Sequence, residues 1–167
     1  MCIRDSSISK NKSFYCIGLS YQKADATIRG MFSLTPENKD QLLTQAKEEG
    51  FEELLVISTC NRTELYGYAE HPFQLIQLLC EYAKGSVDDF QKVGYVNKSK
   101  EAVEHLFRVG TGLDSQILGD FEIIGQMKQA FALSRDKGLA NAFLERLMNC
   151  VINASTVSYT HLRAHET

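Results

Sequence analysis

The first regular pattern begins at Ser13, where Phe14, Cys16 and Ile17 form an apolar run closed by Gly18; it reads as a strand over 13–20. The following segment, through Ala26-Thr27-Ile28-Arg29-Gly30, is expected to start a short helix or a loop. Thr35-Pro36-Glu37 is a helix start, with threonine as N-cap, proline at the first helical position and glutamate in the first turn. That helix runs to Glu49, and Gly50 ends it. Leu54-Leu55-Val56-Ile57 has the make-up of a buried strand, and Glu64-Leu65-Tyr66-Gly67-Tyr68 alternates as the strand that leaves it. Pro72 opens a helix with Phe73, Leu75, Ile76, Leu78, Leu79 and Tyr82 on its apolar face, and Gly85 closes it. Val87–Phe90 predicts a helical turn and Val93–Asn97 a short strand. Ser99 is placed to cap a helix carrying Ala102, Val103, Leu106 and Phe107, which Gly110-Thr111-Gly112 breaks. Leu113–Gly119 is loop-like, Ile123–Lys137 helical, and a last helix runs from Asn141 through Ala154. Strand, helix, strand, strand, helix, strand, then helices: the class is an α+β plait followed by a helical region.

Length and composition narrow this reading. The 167 residues suffice for one domain with a real core and are too few for two ordinary ones. Hydrophobic residues at 44% and charged residues at 23% are ordinary for a globular chain, and no apolar run approaches membrane-spanning length. The net charge of −3 argues against a nonspecific nucleic-acid binder but is compatible with contact to one RNA through a local patch. Five cysteines without a CxxC pair or metal-ligand spacing predict a reducing compartment, hence the cytoplasm, and no metal. Residues 1–12 and 157–167 continue no pattern of the body and resemble translated sequencing-adapter sequence; both are expected to be foreign ends. Setting them aside leaves His71 and His105 as native histidines, His71 as a solvated loop residue. A last helix severed there would leave the apolar face of Phe143, Leu144, Leu147 and Val151 exposed.

The chemistry concentrates in Ser58-Thr59-Cys60-Asn61-Arg62-Thr63-Glu64-Leu65-Tyr66. Cys60 falls on a tight connection between two strands, where a thiol can meet a substrate, and a guanidinium two residues away favours the nucleophilic thiolate. The bland alternative is a small apolar residue at a strand end. Arg62 can act on that thiol or grip a carboxylate through a bidentate pair, with Thr59 and Asn61 as polar partners of a reacting carbonyl; Glu64 reads as a surface or ion-pair residue of the exit strand. His105 is either a packing or surface residue of its helix or an acid/base or orienting group. Gly110-Thr111-Gly112-Leu113-Asp114-Ser115 approaches the dinucleotide fingerprint, but it follows a helix and lacks the third glycine, so it is rejected as a nucleotide site. In Gly112–Gln126, a polar loop entering a helix, Ser115, Asp120, Glu122 and Gln126 can point into a cleft or simply cap the helix.

The nonapeptide around Cys60 resembles the active-site signature of the glutamyl-tRNA reductase family, and Gly112–Gln126 resembles that family's second signature, the likeness covering about residues 13–156. The resemblance implies a catalytic domain on a ferredoxin-like plait over 13–140 and the start of a linking helix over 141–156, with NADPH-binding and dimerisation domains missing from this chain. It implies that Cys60 forms a thioester with the glutamyl group of glutamyl-tRNA, that hydride from NADPH then yields glutamate-1-semialdehyde for tetrapyrrole synthesis, and that His105 matters for activity. It further implies that Arg62 binds the substrate carboxylate and that Ser115, Asp120, Phe121, Glu122 and Gln126 line the glutamyl pocket. Many family members carry glutamate, proline or threonine, and glutamine where this chain has Asp120, Phe121 and Glu122; Ser20-Tyr21-Gln22 likewise departs from the family pattern and is given no catalytic role. A homodimer, a downstream aminomutase as partner and no membrane association are the corresponding expectations. Two rival readings are a free-standing cysteine hydrolase or acyltransferase using Cys60 and His105, and a non-catalytic tRNA-binding module.

Overall fold

The computed structural model describes residues 11–115 and 122–166, with side-chain surroundings as far as 157. Its elements, in chain order, are β1 (Ser13–Ser20), α1 (Ala26–Phe32), α2 (Pro36–Glu48), β2 (Leu54–Ser58), β3 (Arg62–Ala69), α3 (Pro72–Tyr82), α4 (Val87–Val93), β4 (Tyr95–Lys98), α5 (Lys100–Gly110), α6 (Glu122–Asp136) and α7 (Ala142–Glu166). The strands form an antiparallel sheet in the order β2-β3-β1-β4, the split βαβ arrangement of a ferredoxin-like plait.

Local chemistry sets most of the boundaries. The Thr35 side chain accepts from the Asn38 N–H ahead of Pro36, and Gly50 takes φ 94° after α2, a conformation open to glycine at little cost. His71 is exposed in the bend before α3, as the sequence reading has it, and it also caps that helix, its imidazole accepting from the Phe73 N–H while Gln74 reaches back to the backbone. Ser99 does hold the position before α5, but it makes no side-chain cap. Its backbone sits at φ 53° because its N–H is committed to the Phe14 carbonyl, tying α5 to β1.

Period-two alternation splits the sheet between two cores. Tyr15, Ile17, Leu19, Leu54, Val56 and Leu65 face α1–α4. Phe14, Cys16, Leu55, Ile57 and Tyr66 face α5, α6 and α7. The trailing helices therefore cover the second face of the plait. Consequently the α7 face expected to be exposed is packed: Leu144 and Val151 are fully buried, Leu147 nearly so, and the Phe143 ring meets Phe14 at a tilt (centroids 5.0 Å apart) and Tyr68 edge-on (5.1 Å). The helix also continues past Ala154 to Glu166, with neither glycine nor proline to stop it. On the outer edge of β2, the Leu54 N–H donates to the Leu139 carbonyl (2.9 Å) and the Leu54 carbonyl accepts from the Ser134 hydroxyl (2.7 Å).

The start of α7 is held by a carboxylate 91 residues away in sequence. Glu53, with no solvent exposure, accepts from the backbone N–H groups of Asn141 (3.2 Å) and Leu144 (2.6 Å), satisfying donors that a helix start leaves over. Glu53→Ala is expected to lower stability by about 2 kcal/mol, read as a fall of about 4–8 °C in Tm. Glu53→Gln, which keeps an acceptor, should recover part of that loss. An unchanged Tm for Glu53→Ala would show that α7 is anchored elsewhere.

Candidate active site

Pairing of Ser58 with Thr63 closes the β2–β3 hairpin, and the Thr59 N–H donates to the Arg62 carbonyl at 2.8 Å, so Cys60 and Asn61 form its tip. The tip is braced from several directions. The Asn61 N–H donates to Thr59 Oγ1 (3.2 Å), the Tyr21 N–H donates to the Asn61 carbonyl (2.9 Å), and Ser58 Oγ accepts from the Leu34 N–H (3.0 Å). Arg29 of α1 donates through Nε to the Cys60 carbonyl (3.1 Å) and through Nη1 to the Ala24 carbonyl (2.7 Å). These bonds fix the backbone while leaving Cys60 itself exposed.

Thr59, Cys60, Asn61 and Arg62 share a cleft of about 80 Å³ with Ser115, Glu122, Ile123 and Gln126. Glu122 and Gln126 are one helical turn apart at the start of α6 and so share a face. The hairpin and the residues Ser115, Glu122 and Gln126, which belong to separate signatures in the sequence, thus meet in one concavity. Asp120 and Phe121 lie outside the described residues.

Arg62 has more partners than its sequence neighbours suggest. It is 3% exposed, and its Nη2 donates to the Asp114 carbonyl oxygen (2.5 Å) and to Asp114 Oδ2 (3.1 Å), while Nη1 reaches Glu64 Oε2 at 3.4 Å. Gln22 touches the other Asp114 oxygen at 3.5 Å. Burial disfavours the Arg62 charge, but Glu64, Tyr95 and Asp114 outweigh it and hold the guanidinium above its ordinary pKa.

Glu64, read as a surface or ion-pair residue, pairs as expected but has no exposure at all. Arg62, Glu64 and Tyr66 alternate onto the face of β3 that meets α5, and the Glu64 carboxylate there collects the Tyr66 hydroxyl (2.9 Å), the Tyr95 hydroxyl, His105 Nε2 and Arg62. Gly18, directly opposite Glu64 in the sheet, makes the room: a Cβ there would come 2.7 Å from Glu64 Cγ and 2.5 Å from the Thr63 carbonyl oxygen. Burial pushes the Glu64 carboxyl up, yet the hydrogen bond and charge of His105, with Arg62 and Tyr95, bring it below its ordinary value. The same anion and the same burial raise the Tyr66 and Tyr95 hydroxyls. His105 is thus bonded to Glu64 and is not among the residues lining the Cys60 cleft.

Cys16, Glu64 and His105 place ligand atoms within 4.8 Å of one another. A metal ion is poorly served there, because burial and the neighbouring Glu64 raise the Cys16 thiol and so oppose the thiolate, and Arg62 already supplies a positive charge to the carboxylate. Sequence reasoning missed Asp114, Arg29, Gln22, Tyr66 and Tyr95 as parts of this assembly. The available signal was the polar alternation at Arg62 and Glu64 in an otherwise apolar strand.

Fold and site together define an α+β plait domain that presents a cysteine at a hairpin tip. The family described as "Glutamyl-tRNAGlu reductase, N-terminal domain" matches residues 17–161, and the chain belongs to that family. A glutamyl-tRNA reductase of Christiangramia forsetii is 66% identical over 92% of this chain and 37% of its own length; one of Pseudomonas aeruginosa is 33% identical over 86% and 35%. The chain therefore spans little more than a third of the curated relatives it matches. The solved glutamyl-tRNA reductase of Methanopyrus kandleri shares the fold, with a TM-score of 0.73 at 21% identity, over 89% of this chain and 34% of that one.

The Glu64 carboxyl gives a pH signature. With its folded pKa depressed, it stabilises the fold above the unfolded carboxylate value, and this contribution is lost as pH falls through the folded value. Urea unfolding should find Glu64→Gln less stable than the parent at pH 7, with the gap narrowing at pH values below about 4. A gap independent of pH would show that the carboxylate is not the charged hub described.

Proposed function

We propose that this chain is the thioester-forming domain of a glutamyl-tRNA reductase. The observation that carries the reading is the exposed Cys60 at a braced hairpin tip, facing a cleft built from both family signatures. In the proposed step the Cys60 thiolate attacks the ester carbonyl that joins glutamate to the tRNA terminus. The sulfur–carbon bond forms, the ester carbon–oxygen bond breaks, and the thiol proton ends on the departing ribose oxygen. Covalent capture divides one difficult reduction into two easier steps.

Each surrounding group has a role set by its position. Arg62, fixed by Asp114 and Glu64 at the cleft wall, supplies the positive charge for the substrate's side-chain carboxylate. Ser115, Glu122 and Gln126 offer polar contacts to the glutamyl group, and Thr59 and Asn61 flank the reacting carbonyl. Asp120 and Phe121 belong to the same pocket by family resemblance. His105 acts through Glu64: it holds the carboxylate that holds Arg62 and is a positioning residue. That arrangement weighs against a free-standing cysteine hydrolase, which would set the histidine against the thiol.

The reading assigns NADPH to the complete enzyme. Among the described residues nothing fits a dinucleotide: the sheet is antiparallel, and Gly110-Thr111-Gly112 forms the end of α5 instead of a strand-to-helix turn. In this proposal the chain contributes thioester formation, and reduction to glutamate-1-semialdehyde, the entry to tetrapyrrole synthesis, belongs to the longer protein. A homodimer, a downstream aminomutase as partner and a cytoplasmic location belong to the same proposal; no helix among the described residues is long and apolar enough to cross a membrane.

The test is intact mass after brief incubation with glutamyl-tRNA and acid quench. The parent is expected to gain one glutamyl group and Cys60→Ser none. A folded parent that gains no mass while the tRNA stays charged would overturn the assignment of thioester formation to this domain.

A further inference from the structure

The hairpin tip is a two-residue turn, and its central peptide carries the Cys60 carbonyl and the Asn61 N–H. Turns of this length come in pairs of types related by turning over the central peptide, with the flanking strands left in place. Among the described residues other than glycine, Ser99 alone has a positive φ, so Asn61 keeps a negative one. The turned-over form needs a positive φ at Asn61, and asparagine enters that region more easily than most residues. An asparagine here leaves the tip with two accessible forms unless the peptide is held.

Both ends of that peptide are held. The Asn61 N–H donates to Thr59 Oγ1 at 3.2 Å, and the Cys60 carbonyl accepts from Arg29 Nε at 3.1 Å. Arg29 is itself anchored outside the hairpin, through Nη1 to the Ala24 carbonyl (2.7 Å) just ahead of α1. Because α1 packs on one face of the sheet and α6 on the other, Arg29 draws the Cys60 carbonyl to the α1 side. Turned over, that oxygen would point to the side of Ser115, Glu122 and Gln126. There the attack of the thiol builds negative charge on the oxygen of the substrate carbonyl, and a lone pair aimed at that charge opposes it. We propose that Arg29 is a positioning residue of the acylation step, locking the central peptide of the tip with the Cys60 carbonyl turned away from the acyl cleft. The proposal rests on the acylation reading above. The lock acts on the backbone, so the reaction of Cys60 with a small neutral reagent does not depend on it.

The test compares two reactions of Cys60 in the 167-residue chain. One is acylation by glutamyl-tRNA in single turnovers, followed by intact mass. The other is alkylation by iodoacetamide, followed on the Cys60 peptide after digestion. Arg29→Met is expected to lower the maximal acylation rate about tenfold or more. The half-saturating glutamyl-tRNA concentration should change less than about threefold, and alkylation should not change. Arg29→Lys should lose nearly as much, since a single ammonium does not reproduce the fork that spans both carbonyls; it replaces Arg29→Met if that variant does not fold. An undiminished acylation rate in a folded variant overturns the proposal. So does a loss confined to half-saturation, which assigns Arg29 to substrate binding, or an equal loss in both reactions, which assigns it to the thiol itself. A parent that is not acylated strikes the acylation reading, and this proposal with it.

Discussion

A carboxylate without solvent exposure must be surrounded by donors, and the site is arranged around one such group. Removing a carboxylate from water costs several kcal/mol, and Glu64 offsets that cost with Arg62, His105, Tyr66 and Tyr95. These partners come from β3, β4 and α5, so the carboxylate fixes those elements relative to one another as firmly as an apolar contact would. It also fixes Arg62, and Arg62 in turn holds Asp114, one residue before Ser115. The position of one cleft wall relative to the other therefore depends on a charge that never meets solvent.

The second layer of helices makes such burial possible. A plait with one bare face would leave Arg62, Glu64 and Tyr66 in water; here α5, α6 and α7 close over that face. The covering holds because α7 begins on Glu53, at the entry to β2, and because α5 is tied to β1 through Ser99. The hairpin tip projects past this layer, so its thiol stays accessible while the residues two and four positions on are sealed.

Most of the fold was legible because it is written in local chemistry. Thr35-Pro36, Gly50 and Pro72 mark helix ends through caps and backbone conformations that need only their neighbours. The α+β class follows from element order, and the hairpin from two apolar runs around a polar tip. The meeting of Cys60 with Ser115 and Gln126 was foreseen through the resemblance of two motifs, with periodicity silent on it. What stayed hidden depends on distant partners. The bond from Arg62 to Asp114 spans 52 residues and that from Glu64 to His105 spans 41, so neither burial nor pairing is visible in the strand itself. Ser99 makes no side-chain cap, its backbone serving β1 instead, and the α7 face reads as bare in the sequence because the layer covering it has no local signature. Glu53 shows the same limit: an acidic residue before an apolar strand reads as surface until a helix start arrives from 91 residues away.

The bonds at Leu54 have a consequence for how this chain behaves among copies of itself. In an antiparallel sheet a residue whose N–H and C=O point outward is a template on which another strand can grow. At Leu54 both groups are already taken, by Leu139 and Ser134 of the same chain. The last turn of α6 and its connection to α7 thus cover the β2 edge at its start. Recruitment of a foreign strand would first have to peel that connection away, so aggregation through this edge is opposed by the same packing that seats the last helix.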